Sequence, residues 1–175
     1  MSDLQLQLQK ASATDLPVMH ALLVVCGEHL YRQTGLRHWY PFRTYEQWSQ
    51  RLDAEQVYAV YAGDHLVGTF NLNPMPRPYY ADSLWHDPAA KAAYVSGVGV
   101  LPPYQRRGIG RWMMAQADRL AAESGNAAIR FDIVLADEAL VHCCDGLGYA
   151  RRGTISMAQW RLNDVMCYER VLSPG

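Results

Sequence analysis

Leu4, Leu6 and Leu8 alternate with Gln5, Gln7 and Gln9, a period of two that predicts a first strand with one buried face. A helical period follows: Leu16, Met19, Leu23, Cys26 and Leu30 mark one face, Thr14 is placed to cap its start, Asp15 and Pro17 suit its first turn, and Gly35 ends it. Tyr45, Trp48 and Leu52 share a face and predict a short second helix from Thr44 to Leu52. Val57 to Ala62 and His65 to Leu72 are rich in β-branched and aromatic residues, and Gly63-Asp64 between them predicts an antiparallel hairpin. Asn73 to Pro78 holds Pro74, Pro76 and Pro78, which cannot continue a central strand, so the chain leaves the sheet and Tyr79 to Ala90 reads as loop with a helical turn.

Tyr94 to Val100 reads as a buried strand, yet Gly97 and Gly99 within it mark a bulge or a place where something approaches the backbone. After Pro102-Pro103 a helix begins near Gly108, with Ile109, Trp112, Met113, Leu120 and Ala121 on its inner face and Gly125 at its end. Ala128 to Leu135 then returns as a strand, and strand, helix and strand at this spacing predict a right-handed crossover with parallel strands. Asp137 is placed to cap a short helix through Leu147, and Arg151 to Trp160 with Val165 to Leu172 predict a closing hairpin around Asn163-Asp164.

The chain has 175 residues, about one domain's worth, so a single domain over 1–175 is expected. Hydrophobic residues at 50% and charged residues at 19% place it among ordered globular proteins. A net charge of -1 gives no global field for nucleic acid or an anionic membrane, so any polyanion must meet a local patch. No signal peptide or spanning segment is read, and Cys26, Cys143, Cys144 and Cys167 lack metal or CxxC spacing; they read as reduced thiols of a cytoplasmic protein with no metal. His142-Cys143-Cys144 does not change that, because successive helical positions point in different directions.

One segment carries chemistry. Gln105-Arg106-Arg107-Gly108-Ile109-Gly110 lies between a strand and a helix, where unpaired backbone N–H groups and the positive end of the helix dipole face outward together. Gly108 and Gly110 let the backbone curl closely round a diphosphate, and Arg106, Arg107 and Arg111 offer charge-assisted hydrogen bonds to it. A P-loop is excluded because Gly110 is followed by Arg111, and a dinucleotide fingerprint begun at Gly97 fails at Pro102.

The run Val98-Gly99-Val100-Leu101-Pro102-Pro103-Tyr104-Gln105-Arg106-Arg107-Gly108-Ile109-Gly110 resembles the strand, proline and Arg/Gln-x-x-Gly-x-Gly/Ala loop of the GNAT superfamily of acyl-CoA-dependent N-acetyltransferases. Asp137 to Tyr149, closing in Leu147-Gly148-Tyr149, is similar to that family's Leu-Gly-Phe ending, and the order of elements agrees over essentially the whole chain. The resemblance implies an α/β fold with a central, mostly antiparallel mixed sheet, one parallel βαβ crossover and a splayed, bulged fourth strand. It implies acetyl-CoA as co-substrate, its pyrophosphate on Gln105, Arg106, Arg107, Gly108, Ile109, Gly110 and Arg111 and its pantetheine along Val98 and Val100. A backbone N–H at Val100 would polarise the thioester, and an amine would attack directly.

Two departures from the family pattern stand out. The frequent Tyr that protonates the departing thiolate falls at Cys144, and the frequent Asn at the helix start falls at Asp137. Cys144 is either a replacement acid, its thiol near the basicity of the coenzyme, or a small buried apolar residue. The strand from Tyr94 to Val100 has no carboxylate, which leaves Glu28 and His29 on the first helix as base candidates, with His38, Asp82 and His86 beyond them.

Tyr31, Trp39, Tyr40, Phe42, Tyr79, Tyr80 and Trp85 fall in the two segments that form the acceptor cleft in proteins of this shape; they either line a pocket for an amine or cover the core. The expected activity is acetyl transfer to a primary amine of a small molecule or peptide. The other class kept open is a non-catalytic acyl-CoA-binding or sensor protein; nucleic acid and membrane are not expected partners, and a homodimer is left open.

Overall fold

The structure is a computed structural model that describes residues 5–52, 56–160 and 162–172; Leu4, expected in the first strand, lies outside the described residues. Four helices, α1 (Leu16–Thr34), α2 (Tyr45–Ser49), α3 (Ile109–Glu123) and α4 (Glu138–Asp145), accompany seven strands. These are β1 (Leu6–Lys10), β2 (Val57–Ala62), β3 (His65–Asn73), β4 (Ala92–Val100), β5 (Ala128–Val134), β6 (Ala150–Ile155) and β7 (Val165–Val171). Their order in the sheet is β1-β2-β3-β4-β5-β7-β6, mostly antiparallel with β4 and β5 parallel. Contacts divide the chain into two compact units, Met1–Leu72 with Gly97–Met114, and Asn73–Ser96 with Ala115–Gly175. No helix among the described residues is long and apolar enough to cross a membrane.

In the first unit, β1 and β3 flank β2 in antiparallel register, and the hairpin closes at Ala62↔His65 over Gly63-Asp64. Leu16, Met19, Leu23 and Cys26 of α1 bury with Val57 and Ala59 of β2, as their spacing predicted; Leu22 joins them, and Leu30, expected on the same face, is half-buried. Helix α1 is not capped by Thr14. Thr14 Oγ1 lies 2.7 Å from Ser12 Oγ, and Asp15 Oδ2 accepts from the Ser12 N–H at 2.7 Å, so both side chains close the turn before the helix. Thr44 does cap α2, in a reciprocal box with Gln47 at 3.3 Å each way, but that helix ends at Ser49 rather than Leu52.

In the second unit β5 pairs in parallel with β4 through Ala92↔Ala128 to Tyr94↔Arg130, and antiparallel with β7 along its whole length. Strand β6 stops at Ile155, not Trp160: the Met157 N–H donates to Asp164 Oδ1 at 2.9 Å and leaves the ladder, and a 3-10 turn over Ala158–Trp160 follows. Alternation along β5 places Ile129, Phe131 and Ile133 on one face and Arg130, Asp132 and Val134 on the other. On the first face Tyr149 donates to Asp118 at 2.8 Å, and Arg170 pairs with Asp118 while lying 4.1 Å over the Tyr149 ring.

On the second face Arg130 and Glu169, each 1% exposed, pair at 2.9 Å. Arg130 also donates to Tyr94 Oη at 3.2 Å and to the Asp87 carbonyl at 2.6 Å, and Trp85, 7% exposed, covers its guanidinium at 4.8 Å. Glu169 accepts from the His86 N–H at 3.0 Å, and Arg152 Nε lies 2.7 Å away, oriented as an ion pair rather than a hydrogen bond. Glu169→Ala strands a buried cation and is expected to cost about 3–5 kcal/mol in chemical denaturation. Glu123→Ala breaks an exposed pair with Arg119 and should cost about 0.5 kcal/mol or less in the same assay.

Candidate functional site

The loop from Leu101 to Gly110 is built by local hydrogen bonds. A 3-10 turn over Pro102–Tyr104 is closed by the Tyr104 N–H on the Leu101 carbonyl at 2.8 Å, and Gln105 Nε2 donates back to the Val100 carbonyl at 2.9 Å. Arg106 at φ 59 and Gly108 at φ 82 then turn successive N–H groups toward one side. Among the described residues, the amides of Arg106 to Arg111 have no backbone acceptor, and the run leads directly into the first turn of α3. Gln105, Arg106, Arg107, Gly108 and Arg111 are exposed and Gly110 is half-buried, whereas Ile109 is buried and anchors the helix. A Cβ at Gly110 would meet nothing within 4 Å, so packing within the chain does not demand glycine there; open space is kept where a ligand's phosphates would lie.

Strand β4 supplies a second feature. Gly97 sits at φ 60, and a Cβ on it would come 3.1 Å from Asn71 Nδ2. Asn71 itself is 4% exposed, and its Oδ1 is buried with no partner among the described residues, an orphaned acceptor beside Gly97. Gly99 has a different reason to be glycine: a Cβ would lie 3.0 Å from Leu23 and 3.3 Å from Leu22 of α1. One glycine therefore takes a left-handed backbone conformation, and the other lets the first helix approach. Val98 and Val100 beside them are half-buried. Exposed amides, room at glycine and an unpaired buried acceptor fit a ligand with phosphates and amide groups.

Around α1, Glu28 forms an exposed i,i+4 pair with Arg32 at 3.3 Å, and His29 is half-buried. Tyr31 stacks on Tyr40 at 4.3 Å under the guanidinium of Arg37. Trp39 packs on Phe42, and its carbonyl comes so close to α1 that a Cβ on Gly27 would lie 2.2 Å from it. His20 Nε2 donates to the Arg43 carbonyl at 2.7 Å and pins the other end of this loop.

In the second unit Cys144 is buried on α4, and burial pushes its thiol up to about 12. Passing that proton to a coenzyme thiolate near 8.5 would cost about 5 kcal/mol, which weighs against the acid role and for the buried apolar one. Asp137 caps α4 by accepting from the Leu140 N–H at 3.1 Å. Asp82 lies exposed in a 3-10 turn, and His86 serves Glu169 through its backbone. Trp85 covers Arg130 rather than standing free. Tyr79 and Tyr80 both donate to Asp132 Oδ1, Tyr79 at 3.2 Å, and burial followed by the Asp132 charge pushes both phenols well above their ordinary range.

Asp132 and Trp160 were not singled out by sequence reasoning. The signal was there for Asp132, since Arg130 and Asp132 place two charges at a spacing of two within an otherwise apolar strand.

Residues 19–149, about three quarters of the chain, match the model of the Acetyltransferase (GNAT) family. A GNAT family acetyltransferase from Listeria monocytogenes is 19% identical, with 95% of each chain covered and a TM-score of 0.75. One from Streptococcus agalactiae is 13% identical, with 98% of each chain covered and a TM-score of 0.77. Arabidopsis thaliana Naa50 in complex with the bisubstrate analogue CoA-Ac-MVNAL is 16% identical, covers 95% of this chain and 99% of its own, and has a TM-score of 0.67. A search of curated proteins gives no match.

The thiols offer a direct check of the site's burial. Cys143 is exposed, whereas Cys26, Cys144 and Cys167 are buried and each pushed up to about 12, so their reactive thiolates form only as pH approaches that value. A disulfide reagent at pH 8 should label about one thiol per chain quickly and the others only in guanidinium. Fast labelling mapped to Cys144 would contradict its burial.

Proposed function

The chain belongs to the acetyltransferase (GNAT) family, and we propose that it moves an acetyl group from acetyl-CoA to a primary amine of a small molecule or peptide by direct attack in a ternary complex. The family's activity is acyl-CoA-dependent N-acetyl transfer. The observation that carries the coenzyme assignment is the run of outward amides from Arg106 to Arg111, turned by two left-handed residues at the start of a fifteen-residue helix.

On this reading Gln105, Arg106, Arg107, Gly108, Ile109, Gly110 and Arg111 hold the pyrophosphate through backbone N–H groups and guanidinium forks. Val98 and Val100 run beside the pantetheine, and the Val100 N–H polarises the thioester carbonyl, where negative charge develops as nitrogen attacks. Asn71 Oδ1, buried and unpartnered beside Gly97, is available to an amide N–H of the pantetheine arm. His29 and Glu28 stay as base candidates, and the exposed pairing of Glu28 with Arg32 makes His29 the better of the two. The free thiols suit a cytoplasmic setting.

A non-catalytic coenzyme-binding protein of the same fold is the second reading, favoured by the elevated thiol at Cys144 where the family's acid is frequent. Calorimetric titration with acetyl-CoA, followed by thiol release with primary amines, separates the two: binding without release selects the second.

The double variant Arg106→Glu, Gly108→Asp is expected to weaken acetyl-CoA by more than about 100-fold in protein that remains folded, because it sets negative charge and Cβ bulk against a pyrophosphate; Asp at φ 82 lowers the melting temperature, and Gly108→Ala, which carries the same backbone strain without the charge, is the control. Undiminished affinity would remove the site. Cys144→Ala is expected to keep thiol release within about threefold of the parent, and a larger fall with intact coenzyme affinity would restore the thiol as the acid.

A further inference from the structure

Asp132 stands apart from the other carboxylates of its unit. Among the described residues that are buried or half-buried there, Asp118 pairs with Arg170, Glu169 with Arg130 and Arg152, and Asp137 faces the N-terminus of α4. Asp132 is half-buried and meets no cation within ion-pair distance among the described residues. Its partners are two neutral phenols, and both donate to the same oxygen, Oδ1. Oδ2 receives no protein donor among the described residues and is not sealed from solvent. Removing a carboxylate from water costs several kcal/mol unless a positive charge answers it, and among the described residues none does.

The surroundings limit what answers it. Tyr79, edge-on to Tyr80 at 5.1 Å, packs with Val134, Met157, Val165 and Ile155 and stands 6.3 Å from Trp160, which is 49% exposed. Asp132 and Cys167 are register partners, as are Val134 and Val165, so the carboxylate and this apolar ledge follow one another on one face of the sheet. Exposed Arg77 acts on Tyr79 but forms no ion pair with Asp132. With Oδ1 already taken twice, a guanidinium cannot be received on both oxygens, whereas a single N–H donor of an ammonium group needs only Oδ2.

We propose that Asp132, held by Tyr79 and Tyr80 and flanked by Trp160, binds the primary ammonium group of an amine that carries an apolar or aromatic substituent. Identifying that amine as the acetyl acceptor rests on the acyltransferase reading; the cation site itself does not. Tyr79 and Tyr80 are positioning residues, which fix Oδ1 so that Oδ2 points to the ligand.

The test uses phenethylammonium chloride as the probe, titrated by calorimetry into the whole protein with CoA present, with 2-phenylethanol as the uncharged control. Saturable binding in the millimolar range or tighter is expected for the probe, at least about tenfold weaker binding for the alcohol, and at least a tenfold loss in Asp132→Asn with acetyl-CoA affinity within twofold of the parent. Trp160→Ala, an exposed position, should weaken the probe about threefold or more without changing the melting temperature. Equal binding by Asp132→Asn, equal binding of the alcohol, or no saturable binding of the probe would each overturn the proposal. Acetyl-CoA binding and thiol release are read from the same samples. Coenzyme binding without a cation site leaves the acyltransferase reading standing; a cation site without coenzyme binding sinks that reading alone.

Discussion

Arg130 is a charged side chain at the centre of a strand with 1% of its surface in water, and much of its unit is arranged to make that tolerable. A buried guanidinium is costly unless its donors are satisfied and its charge is matched. Glu169 matches the charge from β7, Tyr94 and the Asp87 carbonyl each take a further donor, and the Trp85 ring covers the guanidinium. Two of these contacts, from Trp85 and Asp87, together with the His86 N–H on Glu169, come from the proline-rich segment after β3. A segment of about twenty residues with one 3-10 turn of its own thus gains a fixed path over the sheet. The same path delivers Tyr79 and Tyr80 to Asp132, two residues along β5 from Arg130. The Arg130–Glu169 pair is matched in charge, whereas Asp132 on the same strand face has only neutral phenols as partners among the described residues.

The loop from Leu101 to Gly110 obeys the opposite constraint. There the backbone donors are left without acceptors, which a fold tolerates only where solvent or a ligand supplies the partner. Left-handed geometry at Arg106, a residue with a Cβ, costs free energy that glycine would not. Keeping arginine there retains a guanidinium at the mouth of the amide run, a choice that makes sense for binding an anion.

Periodicity made the framework legible. The alternating strands, the apolar face of α1, the hairpin at Gly63-Asp64, the Thr44 and Asp137 caps and the parallel β4–β5 pair all follow from local pattern and are found as read. Local pattern failed where a neighbouring side chain takes the group the pattern had assigned elsewhere. Asp164 draws Met157 out of β6, and Thr14 turns to the Ser12 hydroxyl instead of capping α1. The Gln105 to Gly110 loop stood out in the sequence because its residues are contiguous. The Asp132 cluster joins residues about fifty positions apart, and only the tertiary path of the insertion brings them together.

The glycines of β4 show how one sequence signal can carry two meanings. Read together, Gly97 and Gly99 suggested a single purpose, a backbone open to a ligand. Gly99 is instead required by the core, since Leu22 and Leu23 of α1 occupy the space a Cβ would need, while Gly97 adopts a left-handed conformation and lies beside an amide with an unpartnered oxygen. The two glycines therefore answer different constraints. The packing of α1 against Gly99 fixes the strand on the core two residues after Gly97, so the left-handed residue is followed at once by backbone that the core holds in place.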